Sequence, residues 1–368
     1  MNWEAEGLLD DCVDDAARAA RRALLDRLHE EGVPVEELRS AVAEQRLALL
    51  PVDRALSSEA RYTAREIAEL SGFDLELFQM QRRALGVAVP GPDERVYGDS
   101  DLESARLGRR YRDAGLPDDE ALEAQRVLGR GMARYAEAVR TLVGQTFLQR
   151  GTDEAELAAR LEAATKLLLP LAGPWLEYVF NLHLREVLRQ DVVTAEQLAS
   201  GSLGEAREYA VAFADLVGFT ELGETIPSEE LGSVAGRLSR LAEEVVEPPA
   251  RIVKEIGDAV MLVAPEPRVL VETALRLVEA SDGAEGLPAI RAGVAYGPAV
   301  NRWGDWYGST VNVASRLSER ARPASVLTTE AVRDAAPDGY EWSYAGEKRL
   351  KGLLTPLKTY RARRTADG

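Results

Sequence analysis

A chain of 368 residues with one cysteine, Cys12, and two histidines, His29 and His183, has few of the side chains that most often bind transition metals. A single cysteine excludes an internal disulfide framework and any multi-cysteine zinc or iron–sulfur site. Two histidines cannot build a histidine-rich metal site. Any catalytic metal must therefore rest on carboxylates, hard oxygen ligands that favour Mg²⁺, Mn²⁺ or Ca²⁺. Basic residues are also in deficit: 45 Lys and Arg against 62 Asp and Glu give a net charge of −17. A uniformly acidic surface repels phosphate backbones, so nucleic-acid binding is disfavoured. Long apolar runs are missing too. The most apolar stretch, Lys166 to Leu184, is interrupted by Pro170, Pro174 and Glu177, whereas a spanning helix needs about 20 mostly apolar residues. The amino-terminal segment is acidic, the wrong sign for a secretory leader. The expectation is a soluble, cytoplasmic protein with no membrane contact.

What is present falls into two halves of different pattern. Up to about residue 195 the apolar residues recur at helical spacing, over Leu8 to Glu31, Pro34 to Leu50, Asp118 to Gln145, Asp153 to Lys166 and Gly173 to Gln190. Pro170 and Pro174 are expected to separate the last two. The stretch Tyr62 to Phe73 reads as helix, Ser-Gly turn, helix. With Arg82-Arg83, Arg95-Val96-Tyr97 and Asp99 to Glu103 it resembles the MerR-type winged helix-turn-helix over residues 62–116. That resemblance implies DNA binding, but the second helix carries Asp74 and Glu76 where phosphate contact wants Lys or Arg. A helical packing module is the preferred reading. A polar helix from Glu186 runs into Ala199 to Gly204, whose Gly/Ser cluster marks a boundary. The division expected is a helical regulatory domain at 1–195, a helical linker at 186–206 and a second domain at 207–368.

The second half changes period. Glu208 to Ala214 reads as a buried strand, Ser228 to Glu247 as an amphipathic helix, and Arg251 to Glu255 with Ala259 to Ala264 as a hairpin across Gly257-Asp258. Helix Arg268 to Ala280, strand Pro288 to Tyr296, helix Ser309 to Arg322 and strands from Ser325, Glu341 and Leu357 follow. The fold class is α+β: a ferredoxin-like βαββαβ sheet with helices on one face.

Three places carry chemistry. The first strand ends at Asp215 and turns through Gly218 into a helix opened by Phe219 and Thr220, whose backbone N–H groups can face a phosphate. The hairpin tip supplies a second carboxylate, Asp258; side by side, the two can clamp a pair of divalent ions. In the third place, Asn312 and Arg316 stand four apart on one helix and share a face. Each feature alone is common surface decoration.

Together they resemble the class III nucleotidyl cyclase catalytic domain from about Arg207 to Arg363. The segments FADLVGFT (213–220), KEIGDAVM (254–261) and DWYGSTVNVASR (305–316) occur in the family's order and spacing. The resemblance implies that Asp215 and Asp258 hold two Mg²⁺ or Mn²⁺ ions, that Lys254 and Asp305 read the purine, and that Asn312 and Arg316 stabilise the transition state. Arg349-Leu350-Lys351-Gly352 resembles a segment with a triphosphate-binding lysine, which makes Lys351 a substrate-binding candidate. Its spacing to Lys358-Thr359-Tyr360 departs from the mammalian pattern. A lysine donor for N1 and an aspartate acceptor for the N6 amino group favour ATP over GTP. Lys254 and Asp258, four apart in an extended segment, are separated by about 13 Å, too far for one ATP to use both readily from one chain. The resemblance implies a head-to-tail homodimer with two equivalent shared sites. The helical half resembles the regulatory domain of soluble actinobacterial cyclases, including the mycobacterial autoinhibited, pH-responsive type, through its layout and Phe180 to Arg185. His183, with an unperturbed pKa in the physiological range, is a candidate regulatory residue just before the linker. The activity expected is ATP to 3′,5′-cyclic AMP and pyrophosphate. The alternatives are a DNA-binding regulator with a nucleotide-sensing domain and a pseudo-cyclase.

Overall fold

The computed structural model describes residues 1–57, 59–147, 151–190, 206–282, 284, 286–351 and 355–365. It divides into two compact units, Met1–Leu188 and Arg189–Gly368.

The first unit is helical. α1 (Asp15–Glu30) starts later than the apolar spacing predicts, because the Asp14 carboxylate caps Ala17 N–H and fixes the first turn there. Leu8 and Leu9, ahead of it, are buried in turns and pack with Trp3, Leu24, Leu25 and Leu28. α2 (Val35–Ala43), a 3₁₀ turn and α3 (Leu50–Leu56) replace the single helix expected over Pro34 to Leu50. α4 (Ala64–Ser71) has a reciprocal capping box between Thr63 and Glu66, and ends at Gly72 in the left-handed conformation, φ 66°. α5 (Leu75–Leu85) follows at once, capped by the Asp74 side chain. Then come the Tyr62–Tyr97 bridge and α6 (Asp99–Asp113). Asp74 thus serves its own helix, and Arg82 bonds Asp101 at 2.8 Å and lies over the Tyr97 ring.

α7 (Asp118–Phe147) is long and mostly exposed. α8 (Glu154–Gln190) corrects the sequence reading, since it runs unbroken through Pro170 and Pro174. Each proline removes one i→i−4 bond and crowds one carbonyl, which weakens a helix without stopping it when the turns on both sides propagate. The Ala199–Gly204 boundary lies outside the described residues.

The second unit is one sheet in the order β2-β3-β1-β4-β6-β8-β7, with β5 paired to β4. Its strands are β1 (Arg207–Leu216), β2 (Arg251–Ile256), β3 (Ala259–Ala264), β4 (Ile290–Arg302), β5 (Asp305–Tyr307), β6 (Ser325–Thr329), β7 (Tyr340–Lys348) and β8 (Leu357–Arg364). Among the described residues, only the β4–β6 pairing is parallel. The helices are α9 (Phe219–Gly223), α10 (Ser228–Val245), α11 (Pro267–Asp282), α12 (Ser309–Arg320) and α13 (Glu330–Ala335).

The expectation of helices on one face fails. Ala210, Ala212, Ala214 and Leu216 of β1 pack with α10 and α11. Val211 and Phe213, alternating with them, pack with Val313, Ala314 and Leu317 of α12. Successive side chains of a strand point to opposite faces, so α12 covers the face that α10 and α11 do not. Periodicity shows that a helix buries a stripe, not against which side of a sheet.

Gly293 explains how closely α12 sits. A Cβ there would lie 2.2 Å from Ser318 N and 2.5 Å from Ala314 O. Only glycine lets the helix backbone press onto β4 at this depth.

Candidate active site

Asp215, at the carboxyl end of β1, pairs across the sheet with Ala259 on one side and Arg291 on the other. It lies on the face that carries α12, in alternation with Val211 and Phe213. Asp258 lies in the β2–β3 turn after Gly257, whose φ is 62°. Its carbonyl accepts from Leu216 N–H at 3.1 Å, which ties the hairpin tip to the end of β1. The structure thus brings the two carboxylates together. Burial pushes the Asp258 carboxyl above the ordinary range, and the neighbouring Asp215 carboxyl pushes it the same way. Two neighbouring carboxylates in a half-buried corner make a donor set suited to a hard divalent cation. Asp258 is in the turn, not the strand, so the extended spacing used to separate it from Lys254 holds only as far as Ile256.

Lys254 in β2 stands opposite Met261, and Met261 opposite Phe213, which places it on the same face. Its ammonium donates to Asp305 Oδ1 at 2.7 Å and Oδ2 at 2.6 Å. Asp305 begins β5, a three-residue strand that the sequence pattern is too short to announce. Its Oδ1 also accepts from Trp306 N–H at 2.8 Å. Trp306 is buried against Tyr209, ring centroids 4.4 Å apart, and the Arg251 guanidinium also lies over its ring. A packed tryptophan therefore anchors the aspartate.

Asn312 and Arg316 project from α12. The helix is seated by the close approach at Gly293 and by Thr310 Oγ1, which donates to Pro298 O at 2.8 Å. Asn312 is exposed, whereas Arg316 Nη1 is buried with no hydrogen-bond partner. A buried guanidinium N–H without an acceptor is costly, and an anionic ligand oxygen is the partner it lacks.

Gly218, at φ 75°, turns the chain from β1 into α9. Phe219 opens that helix with its ring against the core, and Thr220 is exposed. Lys351 is exposed beside the buried Leu350, and His183 is exposed on α8. Among the described residues, no hydrogen bond or ion pair joins Lys351 to the two carboxylates or to the Lys254–Asp305 pair.

One residue was missed. Arg291 in β4 donates to Asp215 Oδ2 from Nε at 3.0 Å and from Nη2 at 2.6 Å. The only hint in the sequence is a charge at the head of an apolar strand, and strand register is what reveals its partner.

Comparison with known proteins shows the family. Residues 1–188 match the family model described as adenylate cyclase regulatory domain, and residues 204–363 the model for the adenylate and guanylate cyclase catalytic domain. The chain belongs to the adenylate cyclases in which this regulatory domain precedes the catalytic one. A protein of Mycobacterium tuberculosis named as a pH-sensitive adenylate cyclase is 42% identical over 97% of this chain and 92% of its own. An adenylate cyclase of Streptomyces griseus is 33% identical over 75% of this chain and 68% of its own. Among solved structures, the adenylyl cyclase CyaB from P. aeruginosa is 21% identical over 45% of this chain and 97% of its own, at a TM-score of 0.38. No described helix is long and apolar enough to cross a membrane.

Proposed function

We propose that the chain converts ATP to 3′,5′-cyclic AMP and pyrophosphate at two sites shared across a head-to-tail homodimer. One subunit contributes Asp215 and Asp258 to each site, and the other contributes Lys254, Asp305, Asn312 and Arg316. The observation that carries the choice of substrate is the Lys254–Asp305 pair. Residues 51 apart in sequence meet at 2.6 Å and present one donor and one acceptor side by side, the complement of the adenine N1 and N6 edge.

Asp215 and Asp258 would hold two Mg²⁺ or Mn²⁺ ions, which when bound lower the pKa of the ribose 3′-hydroxyl and neutralise triphosphate charge. The remaining work falls to the chain. Asn312 orients the ribose so that the 3′-oxygen lies in line with the α-phosphorus. The 3′-hydroxyl gives its proton to solvent, a bond forms between that oxygen and the α-phosphorus, the bond from phosphorus to the α,β-bridging oxygen breaks, and pyrophosphate leaves. Arg316, with its buried unpaired Nη1, takes up charge growing on the α-phosphoryl oxygens. The N–H groups at Phe219 and Thr220, and the Lys351 ammonium, bind the phosphate tail.

Residues 1–195 form the regulatory domain, 207–368 the catalytic domain, and the segment 186–206 conveys one to the other. A pH response of the kind named for the mycobacterial relative extends to this chain, with His183 a contributor. The protein works in the cytoplasm.

The test is a product assay on the full-length protein with Mn²⁺ and either ATP or GTP. Cyclic AMP from ATP, with little cyclic GMP from GTP, is expected. Equal turnover of both overturns the base reading, and turnover of neither makes the chain a pseudo-cyclase.

A further inference from the structure

Arg251 and Lys254 are three residues apart in β2, a spacing that in a regular strand sends two side chains to opposite faces. Here they share a face. Arg251 pairs with Val263 and Ile252 with Leu262, but Lys254 pairs with Met261, so Val253 is an extra residue and β2 is bulged there. Val263 and Met261 pair in turn with Val211 and Phe213 of β1, on the face that α12 covers. The bulge thus turns both cations toward β5, although β3, β1 and β4 stand between β2 and β5 in the sheet. Two side-chain links cross that gap, at consecutive residues of β5. The Lys254 ammonium bonds the Asp305 carboxylate at 2.7 and 2.6 Å, and the Arg251 guanidinium lies 5.6 Å from the centre of the Trp306 ring. Among the described residues no carboxylate pairs with Arg251, so the indole is where its charge rests. Trp306 is buried and packs on Tyr209 of β1, and its N–H donates to Asp305 Oδ1 at 2.8 Å.

We propose that Arg251 is a positioning residue which, with the bulge at Val253, sets the base preference of the Lys254–Asp305 pair. An ammonium on a flexible four-carbon stem and a carboxylate at the head of a short strand can meet in many ways. Adenine is matched by one of them, in which a donor faces N1 and an acceptor faces the N6 amino group in a single plane. Arg251 restricts both ends at once. It shares a strand with Lys254, and it holds Trp306, whose backbone N–H holds the Asp305 carboxylate. The ring suits this task better than an ion pair. A second carboxylate in its place would compete for Lys254 and repel Asp305, whereas the indole face attracts the guanidinium and does neither.

This proposal rests on the reading of the base by Lys254 and Asp305, and the experiment separates the two. Binding of 3′-deoxy-ATP and 3′-deoxy-GTP, which lack the attacking hydroxyl, is measured by calorimetry with Mn²⁺ on the full-length protein. The set is wild type, Arg251→Met, Arg251→Gln, Arg251→Lys and Asp305→Asn, with folding read by circular dichroism and thermal unfolding. Arg251→Met and Arg251→Gln remove the cation from a half-exposed position of an edge strand and are expected to stay folded. Each should bind 3′-deoxy-ATP about fivefold more weakly, the size of one partly desolvated cation–π contact, and 3′-deoxy-GTP as wild type does. With ATP as substrate, KM should rise by a similar factor while kcat changes by less than about twofold. Arg251→Lys keeps a cation over the ring and should fall between wild type and Arg251→Met. A wild-type preference for the adenine nucleotide in both Arg251→Met and Arg251→Gln, with that preference lost in Asp305→Asn, overturns the role of Arg251 alone. Equal weakening for both nucleotides, or a loss confined to kcat or to the thermal midpoint, also overturns it, since Arg251 would then merely support the fold. An undiminished preference in Asp305→Asn overturns the base reading and the Arg251 proposal with it.

Discussion

The two units keep their apolar side chains differently. In the sheet unit they are sunk into two cores, one on each face, and among the described residues the large ones that remain exposed are Ile256, Trp303, Tyr307 and Tyr344. In the helical unit, exposed apolar residues run along α7, at Leu128, Met132, Tyr135 and Leu142, and along α8, at Leu167, Leu171, Trp175 and Phe180. The sheet unit places particular atoms, such as the Asp215 carboxylate and the Arg316 guanidinium, and its sequence is correspondingly specific. The helical unit presents faces, and faces tolerate many sequences that share a pattern.

The sharpest break in this comparison comes from the sheet unit. Asp215→Ala should abolish cyclic AMP formation while leaving the fold intact. Arg316→Ala should cost about a thousandfold, as expected of an arginine that stabilises a transferring phosphoryl group. Near-normal activity in either variant would detach the site from its assigned residues. Mixing the two variants sharpens the picture further, because each is inactive alone while a heterodimer has one intact shared site. Random pairing of two subunit types should restore about a quarter of wild-type activity. No recovery, with heterodimers confirmed, would mean that each site lies within one chain.

The chain from residue 204 onward tests the helical unit. Its specific activity should differ from that of the full-length protein by about fivefold or more, the lower bound of a useful coupling between sites. Identical activities and identical profiles from pH 5.5 to 8 would remove the regulatory reading. If the profiles differ but His183→Ala follows wild type, regulation stands and the histidine does not.

Stability offers a measure within the sheet unit alone. Gly293→Ala should destabilise it by about 3 kcal/mol, the upper part of the usual range for forcing atoms into a filled space, read as a fall in the thermal midpoint. Asp258→Asn should act in the opposite direction and less strongly. The folded state raises the Asp258 pKa, so the stability tied to its protonated form is complete below the unfolded value, about 3.9, and is lost as pH rises through the folded value. In metal-free buffer the variant should therefore melt above wild type at pH 7.5, and the gap should close on acidification below pH 4 or so. A gap that does not change with pH would assign the effect to packing.

Much of the sheet's centre was legible because β1 and β3 are apolar runs, each with a glycine close to one end. The hairpin across Gly257-Asp258 and the tip at Asp215 could be placed for that reason. Strand register could not be read, since it depends on partners far away in sequence, and Arg291 stayed hidden with it. The side of the sheet taken by α12 was invisible for the same reason: Val313 and Leu317 signal burial without direction. β5 is three residues long and signals nothing by period. In the helical half, Asp14 displaced the start of α1, a case of a cap outranking apolar spacing, and two prolines wrongly read as a break.

Those prolines give α8 a directional stiffness. Pro170 leaves the carbonyl of Lys166 without its usual donor, and Pro174 does the same to the carbonyl of Pro170. The two gaps are four residues apart and therefore fall on one side of the rod, on successive turns. Bending that opens this side breaks no hydrogen bond there, while bending toward any other side strains an intact ladder. α8 is thus a beam with one compliant edge, and a load along it is turned into deflection in a single plane.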